Sequence, residues 1–246
     1  MSKLSSLAVN EKATGETNHL GGFSIMESGL YDFKIKAAYL IKSQHGATGV
    51  VLDLEGPNGS RFSPTTYVTN RKGETTYADK QDKTKVHHLP GFNQMNAVSL
   101  LALGKPLSEL EPENKVVNIY SYEHKKDVPT EVEMLVELID LPITMGIMKI
   151  VEDKNKNVAG PGETPNYQPT GEVRTVNEID KVFRTEDGLT VPEVLAEETE
   201  AKFKDDWSKK NTGRVYNKAK HAGAGASTGT PAAAAKPTSL FAAKPQ

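Results

Sequence analysis

Leu30-Tyr31-Asp32-Phe33-Lys34-Ile35-Lys36-Ala37-Ala38-Tyr39-Leu40-Ile41 decides the fold class. Tyr31, Phe33, Ile35, Ala37 and Tyr39 share one parity, and Asp32, Lys34 and Lys36 share the other. A period of two carrying aromatics predicts a strand with one buried face. Outward from it, Val50–Leu54 reads as a second strand, and Pro57-Asn58-Gly59 as a tight turn, since Asn-Gly tolerates positive φ. Ser60–Thr69 reads as a third strand, so residues 30–70 form an antiparallel meander. Residues 70–88 are polar and charged around Tyr77. A helix is expected over about 92–103, stopped by Gly104 and Pro106. Val116–Ser121, Glu131–Leu138 and Ile143–Val151 add strands, giving five or six in total. Residues 152–171 read as a loop, 172–183 as a short edge strand, and 192–209 as a second helix opened by Pro192.

The chain has 246 residues, with 30 basic and 32 acidic side chains and no cysteine. Disulfides, thiol nucleophiles and thiolate-ligated metals are thereby excluded. No apolar run reaches the roughly 18 residues of a membrane span. The amino-terminal stretch is too weakly apolar for a signal peptide, which favours the cytoplasm. The near-neutral total hides an uneven distribution: residues 31–90 hold 9 basic and 6 acidic side chains, and residues 211–246 hold 5 basic and none acidic. Four segments are expected: a loose arm (1–22), a β-rich core (23–151), an annex of loop, extended segment and helix (152–210), and a disordered basic tail rich in Ala, Gly and Pro (211–246).

Enzyme motifs are missing. Neither a dinucleotide fingerprint nor a phosphate loop occurs, and no serine-hydrolase elbow or H-E-x-x-H zinc motif. Asp53 with Glu55 and Glu131 with Glu133 have the D-x-E type of spacing of a metal nuclease, which is also that of a strand's solvent face. His87 and His88 are adjacent and diverge on a strand. The reading is therefore non-catalytic, with no metal and no cofactor. Binding an unpaired strand needs cations along its phosphates and aromatics against its bases. Lys34, Lys36, Arg61, Arg71, Lys72, Lys80, Lys83 and Lys85 supply the first; Tyr67 and Tyr77 supply the second. Tyr120 and Tyr122, beside Lys125, form either a second strip or part of the core and edge. In the second helix, Phe203 and Trp207 either pack on the sheet or receive a protein partner.

Several stretches together resemble the single-stranded-DNA-binding proteins of lytic, podovirus-type bacteriophages. They are Leu30–Tyr39, His88–Asn96, Lys115–Tyr120, Val128–Leu135 and Asn177–Phe183. The resemblance implies a mainly β fold: an OB-fold barrel of five or six antiparallel strands, with an inserted helix and a C-terminal helix. It implies a groove along residues 50–55 and 60–69, single-stranded DNA as partner during phage replication or recombination, and the cytoplasm of a bacterial host. Such proteins usually end in an acidic tail, whereas this chain ends basic. Thr238-Ser239-Leu240-Phe241 is similar to the Leu-Phe end of peptides that bind the bacterial sliding clamp, without their leading Gln. Leu240 and Phe241 are the corresponding partner-binding candidates. An adaptor working through the C-terminal helix and tail, on replication proteins or the clamp, is the alternative.

Overall fold

The computed structural model describes residues 25–121, 124–160 and 165–221. The strand that decides the fold class is present and longer than its alternation suggests: β1 spans Gly29–Lys42. The alternation holds through Phe33 and Ile35, 2% and 0% exposed. A register shift between Ile35 and Ala37 then swaps the faces, so that Ala38 rather than Ala37 is fully buried. An extra residue in one strand inverts the parity of everything after it.

That irregularity lets one edge of β1 change partners. Gly29–Lys34 pair with β9 (Pro142–Asn157), and Tyr39–Leu40 pair with β8 (Lys126–Met134). Between these two ladders the 135–141 connection fills the gap: Leu135 N–H donates to Ala38 O, and Ile35 N–H to Leu141 O. The other edge of β1 holds β2 (Thr48–Glu55) antiparallel. Beyond β2 the expected single strand over 60–69 is two short ones, β3 (Arg61–Phe62) and β4 (Thr65–Tyr67). They flank Ser63-Pro64, where the proline has no N–H for a ladder. Among the described residues β7 (Glu113–Ser121) pairs only with β8. β10 (Tyr167–Phe183) covers the far edge of β9. After the helices, β11 (Val215–Asn217) runs parallel to β9 at Lys149–Val151, continuing the edge that β1 leaves.

The result is a mixed α/β fold built on one open nine-stranded sheet, with three helices among the described residues. This corrects the expected OB-fold barrel. Closure requires the outermost strands to pair with each other. Here β10, β7 and the β3–β4 edge pair with nothing further among the described residues. The groove of a barrel is therefore not a feature of this fold.

Other differences have local causes. The loop expected over 152–171 is largely the distal half of the β9–β10 hairpin. Val136–Leu138 is a 3-10 turn, not the end of a strand. The helix expected over 192–209 is two: α2 (Val191–Leu195) and α3 (Lys202–Asn211). Glu193 accounts for the break. Its carboxylate accepts Thr190 N–H and Oγ1–H in a capping box at the start of α2, and Phe203 N–H at the start of α3. Between the helices Glu197 takes φ 54°.

The helix α1 (Pro90–Leu103) lies where the sequence places it and ends on Gly104 at φ 80°. It buries Met95, Val98 and Leu101 against Phe33, Ile35, Leu52, Leu54 and Ile143. Its start touches β4 so closely that a Cβ on Gly91 would lie 2.1 Å from Tyr67 O. The helix α3 inserts Trp207, 4% exposed, over Gly146 of β9. Trp207 Nε1 donates to Asp180 Oδ2 at 2.6 Å, and its ring meets Phe183 edge-on.

Candidate nucleic-acid interface

The polar segment 70–88 is folded in detail. Asn70 Oδ1 accepts the N–H groups of Lys72 and Glu74, which closes a turn that displays Arg71 and Lys72. β5 (Thr76–Ala78) then pairs with β6 (Val86–His88) as a separate hairpin. At its tip Asp79 Oδ1 accepts the N–H groups of Gln81 and Asp82, while Asp82 Oδ1 accepts from Thr84 N–H and its hydroxyl. Backbone donors from Asp82 and Gln81 hold the Asp79 carboxyl below the usual carboxylate range. The Thr84 hydroxyl and N–H do the same for Asp82. Carboxylates thus fold this segment, and cations decorate it.

The candidate cations divide accordingly. Arg61, Arg71, Lys72, Lys80 and Lys83 are exposed and have no carboxylate within ion-pair distance among the described residues. Lys85 reaches Asp82 at 3.5 Å. Lys34 and Lys36, by contrast, share Asp140 at 2.9 and 3.5 Å, and Lys36 also reaches Glu55 at 3.7 Å. Lys34 is the main reason the Asp140 carboxyl lies below its usual range. Asp53 lies in the middle of β2 and is half-buried, while its neighbour on that face, Glu55, faces Lys36.

The candidates fall into three places. Lys34 and Lys36 sit at the β2 end that carries Glu55, opposite which Arg61 pairs in register. Tyr67 pairs with Gly49, six residues earlier on the same edge of β2 and so about 20 Å away. Tyr67 is 47% exposed, with its ring against Gly49, and it leads directly into the Arg71–Lys72 turn and the hairpin. The third place is the β7–β8 arm, which leaves the sheet at Met134. Tyr120 and Lys125 lie toward its tip, with Lys125 in the turn at φ 52°. Seven residues of strand put Tyr120 on the order of 20 Å from the arm's base. Tyr122, Leu240 and Phe241 lie outside the described residues.

One group therefore combines exposed aromatics with unpaired cations: Tyr67, Arg71, Lys72, Tyr77, Lys80 and Lys83. Tyr77, 45% exposed, faces His87 across the hairpin with ring centroids 5.6 Å apart. The hairpin forms one wall of a cleft of about 1030 Å³. α1 supplies Asn93 and Asn96 to it, β10 supplies Asp180 and Lys181, and α2 and α3 supply Glu193 and Phe203. Sequence reasoning does not place these side chains in the site. His87-His88 is a weak pointer, since strand alternation sends one ring to Tyr77 and the other onto Phe92 at 4.8 Å. Nothing in the sequence joins residues 77–97 to 179–203.

Among the described residues no three His, Asp or Glu side chains gather as a metal site, and no helix is long and apolar enough to cross a membrane. No protein-family model matches this chain, and no curated protein matches it significantly in sequence.

Proposed function

We propose that the protein binds single-stranded DNA with little sequence preference, through the Tyr67–Lys85 segment. One observation carries the reading: in this segment the acids are engaged in holding turns, while Arg71, Lys72, Lys80 and Lys83 stand unpaired beside two exposed tyrosines. A flexible polyanion with exposed bases is the ligand that such a surface suits. Unpaired cations gain by releasing the strand's counterions, whereas cations already neutralised by carboxylates gain less. Phage DNA replication or recombination, suggested by the sequence resemblance, is the setting in which such a protein would coat exposed strands.

The alternative adaptor role asks for an apolar helix face open to a partner. In α3 the largest apolar side chain, Trp207, is buried on the sheet, which favours the DNA reading over one through this helix. Fluorescence anisotropy with a labelled oligothymidylate tests the proposal. Binding that weakens steeply with salt is expected; indifference to the strand at low salt overturns it.

A further inference from the structure

We infer that the cleft beside the hairpin receives one unpaired nucleobase and favours bases that carry an exocyclic amino group. This rests on the DNA-binding reading above and extends it from phosphate contact to base choice.

The cleft has the size of a small-molecule site, about 1030 Å³, and aromatic groups on two walls, Tyr77 and Phe203. Its polar lining combines acids (Asp180, Glu193) and amides with Lys181 and the two hairpin histidines, a mixture of donors and acceptors that suits a base edge. Most of that lining is already engaged. Both oxygens of Glu193 are engaged, Oε2 by Thr190 and Oε1 by Phe203. Gln94 accepts from Thr66 and donates to Ile179 O, and Asn96 Oδ1 accepts Leu107 N–H. Two groups stand apart from this. Asp180 gives Oδ2 to Trp207 Nε1 and keeps Oδ1 free among the described residues. Asn93 has no side-chain partner among them. The bond from Gln94 to Ile179 draws together the two elements on which Asn93 and Asp180 stand, and both residues line the cleft.

A carboxylate oxygen accepts from an amino group, and a carboxamide donates to a ring nitrogen. Cytosine and adenine present that pair on one edge; thymine presents a carbonyl where they carry the amine. The phosphates run past Lys80 and Lys83, outside the cleft, and meet Lys181, an exposed residue of its lining whose ammonium lies 5.8 Å from the Phe203 ring centre. Backbone contacts thus set most of the affinity, and one base position adds a modest preference.

The test compares short oligothymidylate and oligocytidylate of equal length by anisotropy at neutral pH, on the full chain and on Asp180→Asn. One hydrogen bond of ordinary net worth, partly open to water, predicts about 3–10-fold tighter binding of the cytidylate by the unmodified protein. Asp180→Asn still accepts from Trp207 but turns an amide donor into the cleft, so the preference should vanish or reverse toward thymine. Equal affinities in the unmodified protein, or a preference that survives Asp180→Asn, overturn the inference while leaving DNA binding intact. Binding of neither strand overturns the DNA reading itself. Should Asp180→Asn fail to fold, a strand carrying 2-aminopurine gives an independent readout. Its fluorescence should be quenched on binding, and less so with Phe203→Ala, a residue 42% exposed. Absent quenching overturns the inference equally.

Discussion

Replacing Lys80 and Lys83 together by alanine tests the division between paired and unpaired cations. Both side chains are exposed and neither contacts a carboxylate among the described residues, so the folded state loses nothing by their removal. Removing one lysine–phosphate pairing on a single strand lowers the slope of log K against log salt by about 0.7, hence by about 1.4 for both lysines. Taking about 1 M salt as the point where the counterion contribution vanishes, the double substitution should cost about 25-fold in affinity near 0.1 M salt and only about 4-fold near 0.4 M. Lys34→Ala is the control. Its ammonium is already 2.9 Å from Asp140, so its removal should change the slope by less than about 0.3. The assay is a salt titration of anisotropy for the three proteins, with thermal unfolding to verify equal stability. Equal slopes for the double variant and the unmodified protein would refute the reasoning, as would a Lys34→Ala effect as large as that of either hairpin lysine.

Tyr77→Ala should weaken single-strand binding by about 1–3 kcal/mol if a base stacks there, with Tyr77→Phe near the unmodified value; equal losses for both would remove stacking as the cause. Gly146→Ala places a Cβ 2.7 Å from Trp207 Cζ2, and overpacking should lower stability by about 1–3 kcal/mol. Unfolding followed by the fluorescence of this single tryptophan reads the effect directly, and an unchanged midpoint contradicts the close approach. The hairpin tip should loosen in acid. A carboxyl depressed by folding contributes stability above its unfolded pKa, about 3.9, and loses it as pH falls through the folded value. The Gln81 and Asp82 amide resonances should therefore shift with a midpoint below about 3.9, and a midpoint at or above it excludes the Asp79 bonds as described.

Elements with strong periodicity are legible in the sequence: β1, β2 and α1 with its Gly104 stop all lie close to where alternation and capping put them. The hairpin over 76–88 is not, because its stability comes from Asp79 and Asp82 capturing backbone donors, and neither apolar content nor period reports that. The distal β9–β10 pairing is hidden by Asn, Pro and Gly over 155–171, residues that ordinarily mark loops. Five or six short strands fit a barrel as well as an open sheet, and the choice turns on which edges pair. Here β10, β7 and the β3–β4 edge take no further partner among the described residues, and no local pattern in the sequence reports that. Of the candidate site, residue types and segment are legible for Tyr67, Tyr77 and the hairpin lysines. Which lysines are neutralised depends on Asp140, over a hundred residues from Lys34 and Lys36.

The strand β1 sets a demand on synthesis. β1 and β2 are neighbours in the chain and can pair as soon as both have emerged. The other edge of β1 must wait for Pro142–Ile147, about a hundred residues later. At translation rates of about 5–20 residues per second, that edge stays open for roughly 5–20 s. During this interval the nascent chain presents unpaired strand backbone flanked by Phe33 and Ile35, side chains that the finished protein buries completely or nearly so. Slower translation between β2 and β9 should therefore raise aggregation, and early supply of a chaperone that covers strand edges should reduce it.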